Sequence, residues 1–341
     1  MVDSSFNDYM NKKFPLVSVF TLTYKNYDRL YDTILSVLEQ DYPEFEYIIS
    51  DDGSGDFPEK EVREFVNTHR RDNLKSFRLY VNRNNIGTVR HLNKVINICR
   101  GKYLFDLGGN DIYLNNYVIS NIVDLFINTG CDAIITGRVK YKGKKITEII
   151  PHIKDINNCL KLNNPDKMYK ALLKTQHYGM FVGVNVFYSK KAYILNGGFD
   201  EHYKLLEDAP FISKIILNNR VLLKPDLLTV LYEGKNGVSI GANTITKNPI
   251  LIKDIKYFNT VEKMKYYNKL DKSTQRHVLF GYERAHASNK LLLVYIYIKY
   301  IPCIVSFLSY KLIRKIKMFG DLEKIRSLDY SFMKRDSNLS N

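Results

Sequence analysis

The chain has 341 residues but no tryptophan and only four cysteines. The cysteines are widely spaced and include no C-x-x-C pair, which argues against a zinc site or a disulfide framework. They are Cys99, Cys131, Cys159 and Cys303. Residues 1–15 contain no apolar stretch of the kind that forms the core of a signal peptide. We therefore expect reduced thiols and a cytoplasmic location.

The chain has fewer acidic than basic residues. The chain has 36 Asp and Glu against 51 Lys and Arg, a formal net charge of +15. This excess favours acidic partners, such as nucleic acid, anionic lipid or phosphate-bearing substrates. No recognised nucleic-acid motif is present, and the basic residues do not alternate with aromatic residues in a repeated pattern, so we expect no nucleic-acid partner. With 45% apolar residues, the chain can bury a sizeable core.

The first half alternates between short apolar runs and amphipathic helical patterns. Strands are predicted at residues 17–23, 46–50, 77–81 and 103–107, and helices at 28–40, 88–99 and 118–126. This order predicts an α/β fold with a mostly parallel central sheet and helices on both faces. In such sheets, ligands bind at the carboxyl ends of the strands, so the segments that follow the strands are the places to look.

The second half is less regular. Strands are predicted at residues 180–189 and 227–233, a turn at 196–200 and a short helix at 210–218. Residues 291–310 are almost wholly apolar and aromatic, interrupted by Lys299 and Pro302. Four basic residues follow this run at once, namely Lys311, Arg314, Lys315 and Lys317.

Two strand ends and one helix start carry polar residues suited to a nucleotide. Asp51 and Asp52 follow the second strand, and Thr23 and Tyr24 end the first. An Asp on such a rigid platform can accept a hydrogen bond from a base or a ribose, although Asp-Asp-Gly-Ser also makes a good turn. Gly87 opens a helix and allows close backbone approach of a phosphate. Arg90 and Asn93 on that helix could contact the same ligand, and the alternative is an ordinary loop and helix start.

Two further segments carry acids. Gly108 to Asp111 offers one carboxylate, Asp111, and one neutral oxygen, Asn110, for a hard divalent cation. The alternative is a glycine-rich turn without a metal. Glu207 and Asp208 could take the proton from a sugar hydroxyl, but adjacent helical residues point about 100° apart, so only one can do so. The alternative for Asp208, two residues before Pro210, is a helix N-cap.

Taken in this order, the segments resemble the family 2 glycosyltransferases, which have the nucleotide-binding fold called GT-A. The resemblance covers roughly residues 15–235. The matching motifs are the strand that ends in Thr23-Tyr24-Lys25-Asn26, the helix end at Gln40 with Tyr42, Asp51 to Ser54, Asn85-Ile86-Gly87 with Asn93, Gly101-Lys102-Tyr103, Gly197 to Glu201, and Glu207-Asp208.

The chain departs from the family pattern in two places. The family's Asp-x-Asp motif aligns with Gly108-Gly109-Asn110, which leaves only Asp111 of the usual acidic run. The Arg common before the Asn of the second loop is Leu92 here, although Arg90 is near. The resemblance therefore implies an intact nucleotide pocket and a weakened metal site.

The resemblance implies an inverting hexosyltransferase that uses a nucleotide-diphospho-sugar, with a UDP-sugar as the expected donor. Thr23, Tyr24 and Asp52 would frame the nucleoside, and Asp111 with Asn110 would hold Mg²⁺ or Mn²⁺ against the diphosphate. Asp208 would be the general base, with Glu207 as the fallback. The remaining donor contacts would come from Asp51, Gly87, Arg90, Asn93, Gly109 and, besides its metal role, Asn110.

The acceptor would be a saccharide, one carried on a lipid if the enzyme builds bacterial O-antigen, capsule or another cell-surface polysaccharide. Its site would involve residues 140–180 and 233–260. His177 or His202 could assist an acceptor or a phosphate, and the alternative for each is an isolated surface histidine. A nucleotide-sugar-binding protein that has lost catalysis is the rival to the enzyme, but the retained Glu207-Asp208 pair speaks against it.

The expected domain organisation is an N-terminal extension (1–14), a catalytic domain (15–240) and a helical C-terminal region (241–341). Within the catalytic domain, residues 15–112 form the nucleotide half and 113–240 the acceptor half. Residues 291–310 reach the roughly 20 apolar residues that span a bilayer, but Lys299 and Pro302 argue against a simple span. We expect a helix lying in the interface of an anionic membrane, on its inner face. The alternative is a helix pair packed on the catalytic domain.

Overall fold

The computed structural model describes residues 14–25, 27–142, 145–175, 179–233 and 248–318. A nine-stranded sheet runs through them in the order β3-β2-β1-β4-β8-β6-β9-β5, with β7 paired to β6. The strands are β1 (Val17–Thr23), β2 (Phe45–Asp51), β3 (Leu74–Val81), β4 (Tyr103–Asp106), β5 (Ile112–Tyr113), β6 (Ala133–Lys142), β7 (Lys145–Ile150), β8 (Val186–Ser189) and β9 (Val221–Glu233).

The sheet has a parallel half and a mixed half. Strands β3, β2, β1 and β4 are parallel, with Val17 opposite both Phe45 and Tyr103. Strand β8 is antiparallel to both β4 and β6, and β6 is parallel to β9. The predicted α/β fold with a mainly parallel central sheet is confirmed, and the antiparallel strands are confined to the second half.

Twelve α-helices accompany the sheet in the described residues. They are α1 (Leu30–Leu38), α2 (Glu59–His69), α3 (Thr88–Ile98), α4 (Val118–Thr129), α5 (Ile156–Leu160), α6 (Pro165–Leu173), α7 (Lys190–Leu195), α8 (Asp208–Asn218), α9 (Pro249–Tyr257), α10 (Lys272–His286), α11 (Lys290–Lys299) and α12 (Ile301–Met318). One π-turn, Phe258–Glu262, continues α9.

The two faces of the sheet bury separate cores. Because side chains alternate along a strand, Val17 and Val19 of β1 pack against α1 and α4, while Phe20 packs with α3 and α8. Strand β2 is buried on both faces, as expected for a central parallel strand. The covered sheet leaves its carboxyl edge as the place where a ligand can approach.

A buried acid ties the opposite edge together. The Glu46 carboxylate accepts hydrogen bonds from Ser18 Oγ (2.6 Å), Arg78 (2.9 Å) and Arg100 Nε (2.8 Å). Desolvation acts to raise the pKa of Glu46, but the hydrogen bonds from Arg100 and Ser18 and the charge of Arg78 outweigh it and lower the pKa. This network joins β1, β2 and β3 at the edge away from the ligand.

The structure differs from the sequence prediction in several elements. The apolar pattern gives no indication of α2, whose fully buried residues are only Val62 and Val66. The apolar pattern also gives no indication of the hairpin formed by β6 and β7. The predicted strand at 180–189 is wrong over most of its length, since residues Gly183–Asn185 form a 3-10 turn and only Val186–Ser189 pair in the sheet.

The C-terminal helices pack on the rest of the chain through a small cluster. Ile296, Tyr300 and Cys303 are buried against residues of α10. Between Lys290–Lys299 and Ile301–Ser309 the chain bends by 73°. In the part of the chain that the structure describes, no single helix is long and apolar enough to cross a membrane, and this bent pair reaches that length and composition only when its two members are taken together.

Candidate active site

A cleft of 380 Å³ opens at the carboxyl ends of β1, β2 and β4. It lies where the order of parallel strands predicts a ligand. Its walls come from β1, the loop before α3, the segment after β4, and α9. The lining residues are Leu22, Thr23, Tyr24, Asp52, Asn85, Gly87, Thr88, His91, Gly109, Asn110, Leu205, Asn248 and Ile250.

Asp51 does not line the cleft but holds Thr23, which does. Its Oδ1 accepts hydrogen bonds from Thr23 Oγ1 (3.0 Å) and Ser54 Oγ (2.6 Å), and its Oδ2 from the Ser54 N–H (2.8 Å). The side chain is fully buried. The turn interpretation of Asp-Asp-Gly-Ser therefore describes what Asp51 does in this structure.

Asp52 lines the cleft and also holds its second wall. Oδ1 accepts hydrogen bonds from Asn82 Nδ2 (2.8 Å) and the Ile86 N–H (3.0 Å), while Oδ2 accepts the Gly87 N–H (3.0 Å). A carboxylate that accepts backbone N–H groups fixes the conformation of the donating loop. Asp52 thus sets the shape of the loop that leads into α3.

Gly87 and His91 form the start of α3 in this wall. Gly87 is the N-cap residue and has φ of 87°, in the region that favours glycine. His91 is 2% exposed, and its Nε2 lies 2.6 Å from Ser50 Oγ. Desolvation lowers the pKa of His91, against the opposing charges of Asp52 and Asp51. Sequence reasoning missed His91, whose only signal is a polar residue on the buried face of the helix.

The segment after β4 presses against β1. A Cβ on Gly109 would lie 2.8 Å from Thr23 Cγ2, so this approach requires a glycine. The next residue, Asn110, lines the cleft, and its Oδ1 is shielded from solvent without a hydrogen-bond partner. An unpaired acceptor at this position is suited to a ligand that supplies a cation or a donor.

Arg90 and Asn93 do not line the cleft. Arg90 Nε lies 3.3 Å from Glu201 Oε2 on the protein surface. Asn93 accepts hydrogen bonds from Tyr193 Oη (2.8 Å) and the Phe199 N–H (3.0 Å) and donates to the Phe199 carbonyl (2.8 Å). These contacts tie α3 to the Gly197 to Glu201 turn, and the donor-binding role of both residues remains a prediction.

A group of carboxylates lies behind the cleft. Desolvation raises the pKa of Asp111 to about 7, although the charge of Arg138 and a hydrogen bond from the Gly108 N–H act to lower it. Asp106 ends β4, and desolvation together with the charges of Asp208 and Asp111 raises its pKa to about 8. The sequence analysis missed Asp106 because it falls inside a predicted strand, where one acid in an apolar run was the only signal.

Asp208 and Glu207 lie at the start of α8. Glu207 occupies the N-cap position and Asp208 is the first helical residue, so the N-cap alternative for Asp208 is not what the structure has. The Asp208 carboxylate instead lies close to Gly183, whose N–H acts to lower the pKa of Asp208. A Cβ at Gly183 would overlap Oδ1 of Asp208, which explains the glycine.

The two carboxyl groups of this pair have different surroundings. Desolvation and then the charge of Asp208 raise the pKa of Glu207 well above its ordinary value. Desolvation also raises the pKa of Asp208, but the Gly183 N–H and the charge of Arg138 oppose the rise. The shared negative charge is therefore better placed on Asp208 than on Glu207.

Arg138 is the cation of this region and was also missed by sequence reasoning. It is 6% exposed on β6, and its Nη1 donates to the Gly179 carbonyl and to Asn185 Oδ1, each at 2.7 Å. Its guanidinium lies 4.9 Å from the centroid of the Tyr232 ring. Because β6 was not predicted, the sequence held no sign that this arginine would face the acids.

The described residues contain no group of three or more His, Cys, Asp or Glu side chains arranged to hold a metal ion. Two neighbouring residues offer oxygens at the predicted position, namely Asn110 Oδ1, which has no hydrogen-bond partner, and the desolvated Asp111 carboxylate. Both are hard ligands, and Mg²⁺ and Mn²⁺ commonly complete their coordination with substrate phosphates and water. The pair therefore fits a cation that is shared with a diphosphate.

The sequence model of glycosyl transferase family 2 matches residues 18–195, just over half of the chain and the part that holds most of the cleft. The chain belongs to glycosyl transferase family 2. It is therefore a glycosyltransferase of the kind that uses nucleotide-sugars, as the resemblance implies. No curated protein sequence matches the chain at a significant level.

Solved structures share the fold at low identity. TarS residues 1–349 from S. aureus superpose with a TM-score of 0.51 and 17% identity, over 84% of this chain and 88% of that one. The same fragment in complex with UDP-GlcNAc gives a TM-score of 0.51 and 16% identity over the same shares. The mannosyltransferase PcManGT from Pyrobaculum calidifontis, in complex with GDP-Man and Mn²⁺, gives 0.54 and 14%, over 93% and 88%. These likenesses confirm the GT-A fold.

The structure gathers most of the predicted site residues. Five of the predicted donor contacts line the cleft, namely Thr23, Tyr24, Asp52, Gly87 and Gly109, and so does Asn110. Asp111 and Asp208 belong to the acid group behind it. His202 is exposed and hydrogen-bonds through Nδ1 to Asp200 Oδ1 (2.8 Å), while His177 and Asn26 lie outside the described residues.

Proposed function

We propose that this glycosyltransferase moves a hexosyl group from a UDP-sugar to a saccharide hydroxyl with inversion. The observation that carries the proposal is the joining of two features in one place. Thr23, Asp52 and Gly87 line the cleft. Two other lining residues, Asn110 and Leu205, lead along the chain into Asp111 and Asp208, whose carboxyl groups have raised pKa values. The UDP-GlcNAc and GDP-Man bound by the related structures support a nucleotide-sugar as the donor.

Asp208 acts as the general base in this proposal. A base must reach the hydroxyl proton and must be ionised when it does so. Desolvation raises the pKa of Asp208, but the Gly183 N–H and the charge of Arg138 oppose the rise and favour its ionised form, whereas desolvation and the charge of Asp208 raise the pKa of Glu207 well above its ordinary value. Inversion follows from a single displacement at the anomeric carbon, which needs one base and no covalent intermediate.

Asp111 and Asn110 would hold Mg²⁺ or Mn²⁺ beside the donor diphosphate. When bound, such a cation supplies positive charge that stabilises the leaving nucleoside diphosphate. The Mn²⁺ in the PcManGT complex supports this part of the proposal. In this chain, Asp111 would supply the charged oxygen and Asn110 the neutral one.

The donor site is tested by calorimetric titration of UDP, with and without Mn²⁺, into the wild type and Asp111→Asn. We expect binding that tightens with Mn²⁺ in the wild type and loses that dependence in the variant. Binding that ignores the metal in both proteins would remove the cation from the mechanism. No binding of UDP, GDP or dTDP would contradict the donor site itself.

In our proposal the acceptor is a lipid-linked saccharide at the inner face of the membrane, as in the assembly of O-antigen or capsule. Two faces of the C-terminal helices support this placement. On α11, Leu291, Val294, Tyr295 and Ile298 recur at helical spacing and are between 55% and 84% exposed. On α12, Ile301, Val305, Leu308 and Leu312 do the same, between 52% and 60% exposed.

These eight residues, which we call the apolar stripe, leave a large apolar surface without a protein partner in the described residues. The basic run from Lys311 to Lys317 follows in the sequence, which complements anionic headgroups. Lys299, the charge within the apolar run, is paired with Glu283 at 2.7 Å and so does not need to enter lipid. A helix pair lying in the interface satisfies all three observations.

Co-sedimentation with vesicles tests this placement. We expect the wild type to bind phosphatidylglycerol vesicles more tightly than phosphatidylcholine vesicles, and Leu291→Glu/Ile298→Glu to bind at least 10-fold more weakly. The control Ile194→Glu/Leu195→Glu changes two equally exposed apolar residues elsewhere and should bind as the wild type does. If the stripe instead joins two copies, sedimentation velocity will show a dimer that the stripe variant loses, and the membrane placement is then wrong.

A further inference from the structure

Asp254 of α9 is a buried acid that binds backbone rather than a basic side chain. It is 3% exposed, and its Oδ2 accepts the N–H groups of Lys204 (2.8 Å), Leu205 (2.7 Å) and Leu206 (3.1 Å). Among the described residues no ion pair involves Asp254. Three backbone donors converging on one charged oxygen form a strong clamp, because each bond is charge-assisted.

The clamped loop stands between the two parts of the active site. Leu205 lines the donor cleft, and the loop continues directly into Glu207 and Asp208. Helix α9 also contributes Asn248 and Ile250 to the cleft wall, although Asp254 itself does not line the cleft. The first helix of the C-terminal region is therefore joined through this loop to the start of α8, and the charge of Asp254 also contributes to the raised pKa of Glu207.

We propose that Asp254 is a positioning residue for glycosyl transfer. By fixing the amides of residues 204–206, it sets both the Leu205 wall and the start of α8, where Asp208 must meet the acceptor hydroxyl. A displacement of about 1 Å at such a point can cost about 100-fold in rate. The inference rests on the proposed role of Asp208.

The clamp also connects the two parts of the chain functionally. The expected C-terminal region begins at residue 241, and the loop belongs to the expected catalytic domain. With Asp254 in place, a change in the C-terminal helices can reach Asp208 through a single carboxylate. The catalytic site is incomplete without α9 in this proposal.

Two measurements on the full-length protein test the proposal. Hydrogen exchange should show protected amides at residues 204–206 in the wild type and at least 10-fold faster exchange in Asp254→Ala. Release of UDP from UDP-GlcNAc, with water as the acceptor, should show kcat reduced about 10- to 100-fold, while the Kd for UDP changes less than about fivefold. Asp254→Asn keeps one acceptor oxygen and should give an intermediate effect in both measurements.

Asp271→Ala is the matched control. Asp271 also lies in the C-terminal region and accepts backbone and side-chain hydrogen bonds, from Thr274 N (3.0 Å) and Oγ1 (2.7 Å), but does not touch the loop. It should leave exchange at 204–206 and kcat unchanged. Unaltered exchange in both Asp254 variants overturns the proposal whether or not UDP-GlcNAc is the donor. Faster exchange with unchanged kcat in an active wild type overturns the positioning role, while a wild type that binds no nucleotide contradicts the proposed function instead.

Discussion

Two sets of carboxylates near the cleft differ in the number of hydrogen bonds that the fold supplies to them. Asp51, the last residue of β2, and Asp52, which follows it, each accept three or more hydrogen bonds from neighbouring segments. Asp106 ends β4, and the charges of Asp111 and Asp208 act on it; all three acids have pKa values raised mainly by desolvation.

This difference indicates that the first set has a structural role and the second a role in the reaction. An acid with its donors supplied holds a loop in one conformation, and its charge is already used. An acid that is desolvated beside another acid is unstable as an anion, so a proton or a cation there releases free energy. We therefore expect the first set to govern stability and the second to govern turnover.

The sharpest test of this comparison is Asp208→Asn. Removing a general base typically costs about 10²–10⁴ in rate, so we expect kcat to fall about 1,000-fold while the Kd for UDP is nearly unchanged. Steady-state release of UDP from UDP-GlcNAc and calorimetry measure the two quantities. Glu207→Gln is the matched variant and should lose much less activity. If Glu207→Gln is inactive while Asp208→Asn remains active, Glu207 and not Asp208 is the general base.

Asp52→Ala probes the first set. It removes the acceptor of the Ile86 N–H and of Asn82 Nδ2, and it leaves the Gly87 N–H with Asn85 Oδ1 alone. We expect this loss to lower the free energy of unfolding by about 2–3 kcal/mol and to weaken UDP binding at least about 10-fold. Urea denaturation and calorimetry provide the measurements. An Asp52→Ala protein that keeps wild-type stability but binds no UDP would mean that Asp52 acts as a ligand rather than as a loop anchor.

Asn110→Asp restores an acid where the family motif has one. With two carboxylates at the site, we expect Mn²⁺ to strengthen UDP binding about 10-fold more than it does in the wild type. Titrations of UDP at several Mn²⁺ concentrations measure how strongly the binding of the metal and the binding of UDP reinforce each other. Asn110→Ala, which removes the neutral oxygen, should reduce the metal effect, and equal metal dependence in all three proteins would show that residue 110 does not hold the cation.

Asp106→Asn should stabilise the protein as pH rises. The pKa of Asp106 is raised to about 8, so the stability associated with its protonated form is fully present below the unfolded pKa near 4 and is lost as pH rises through the folded value. The variant avoids this loss, and its Tm should exceed that of the wild type by about 3 °C or more at pH 8, with little difference at pH 4. Asp226→Asn, at an exposed acid paired with Lys224, should show no such trend.

The sequence predicted the parallel half of the fold well because the signals there are local. Apolar runs of β1, β2 and β4 and the amphipathic helices α1, α3 and α4 are each recognisable within about a dozen residues. The motif residues Thr23, Asp52 and Asn110 also stand at or shortly after strand ends, which the parallel order brings to one edge, and Gly87 stands at the start of α3. Strands β6 and β7 lack such signals, so Arg138 could not be placed.

The sequence by itself determined the fold class, the family and the edge of the sheet that carries the cleft. Only the tertiary structure decided which acids are satisfied and which are not. The pKa of Asp106, the pairing of Lys299 with Glu283, and the clamp of Asp254 on residues 204–206 all depend on partners distant in the chain. Desolvation and charge act through space, so a pattern along the sequence cannot report them.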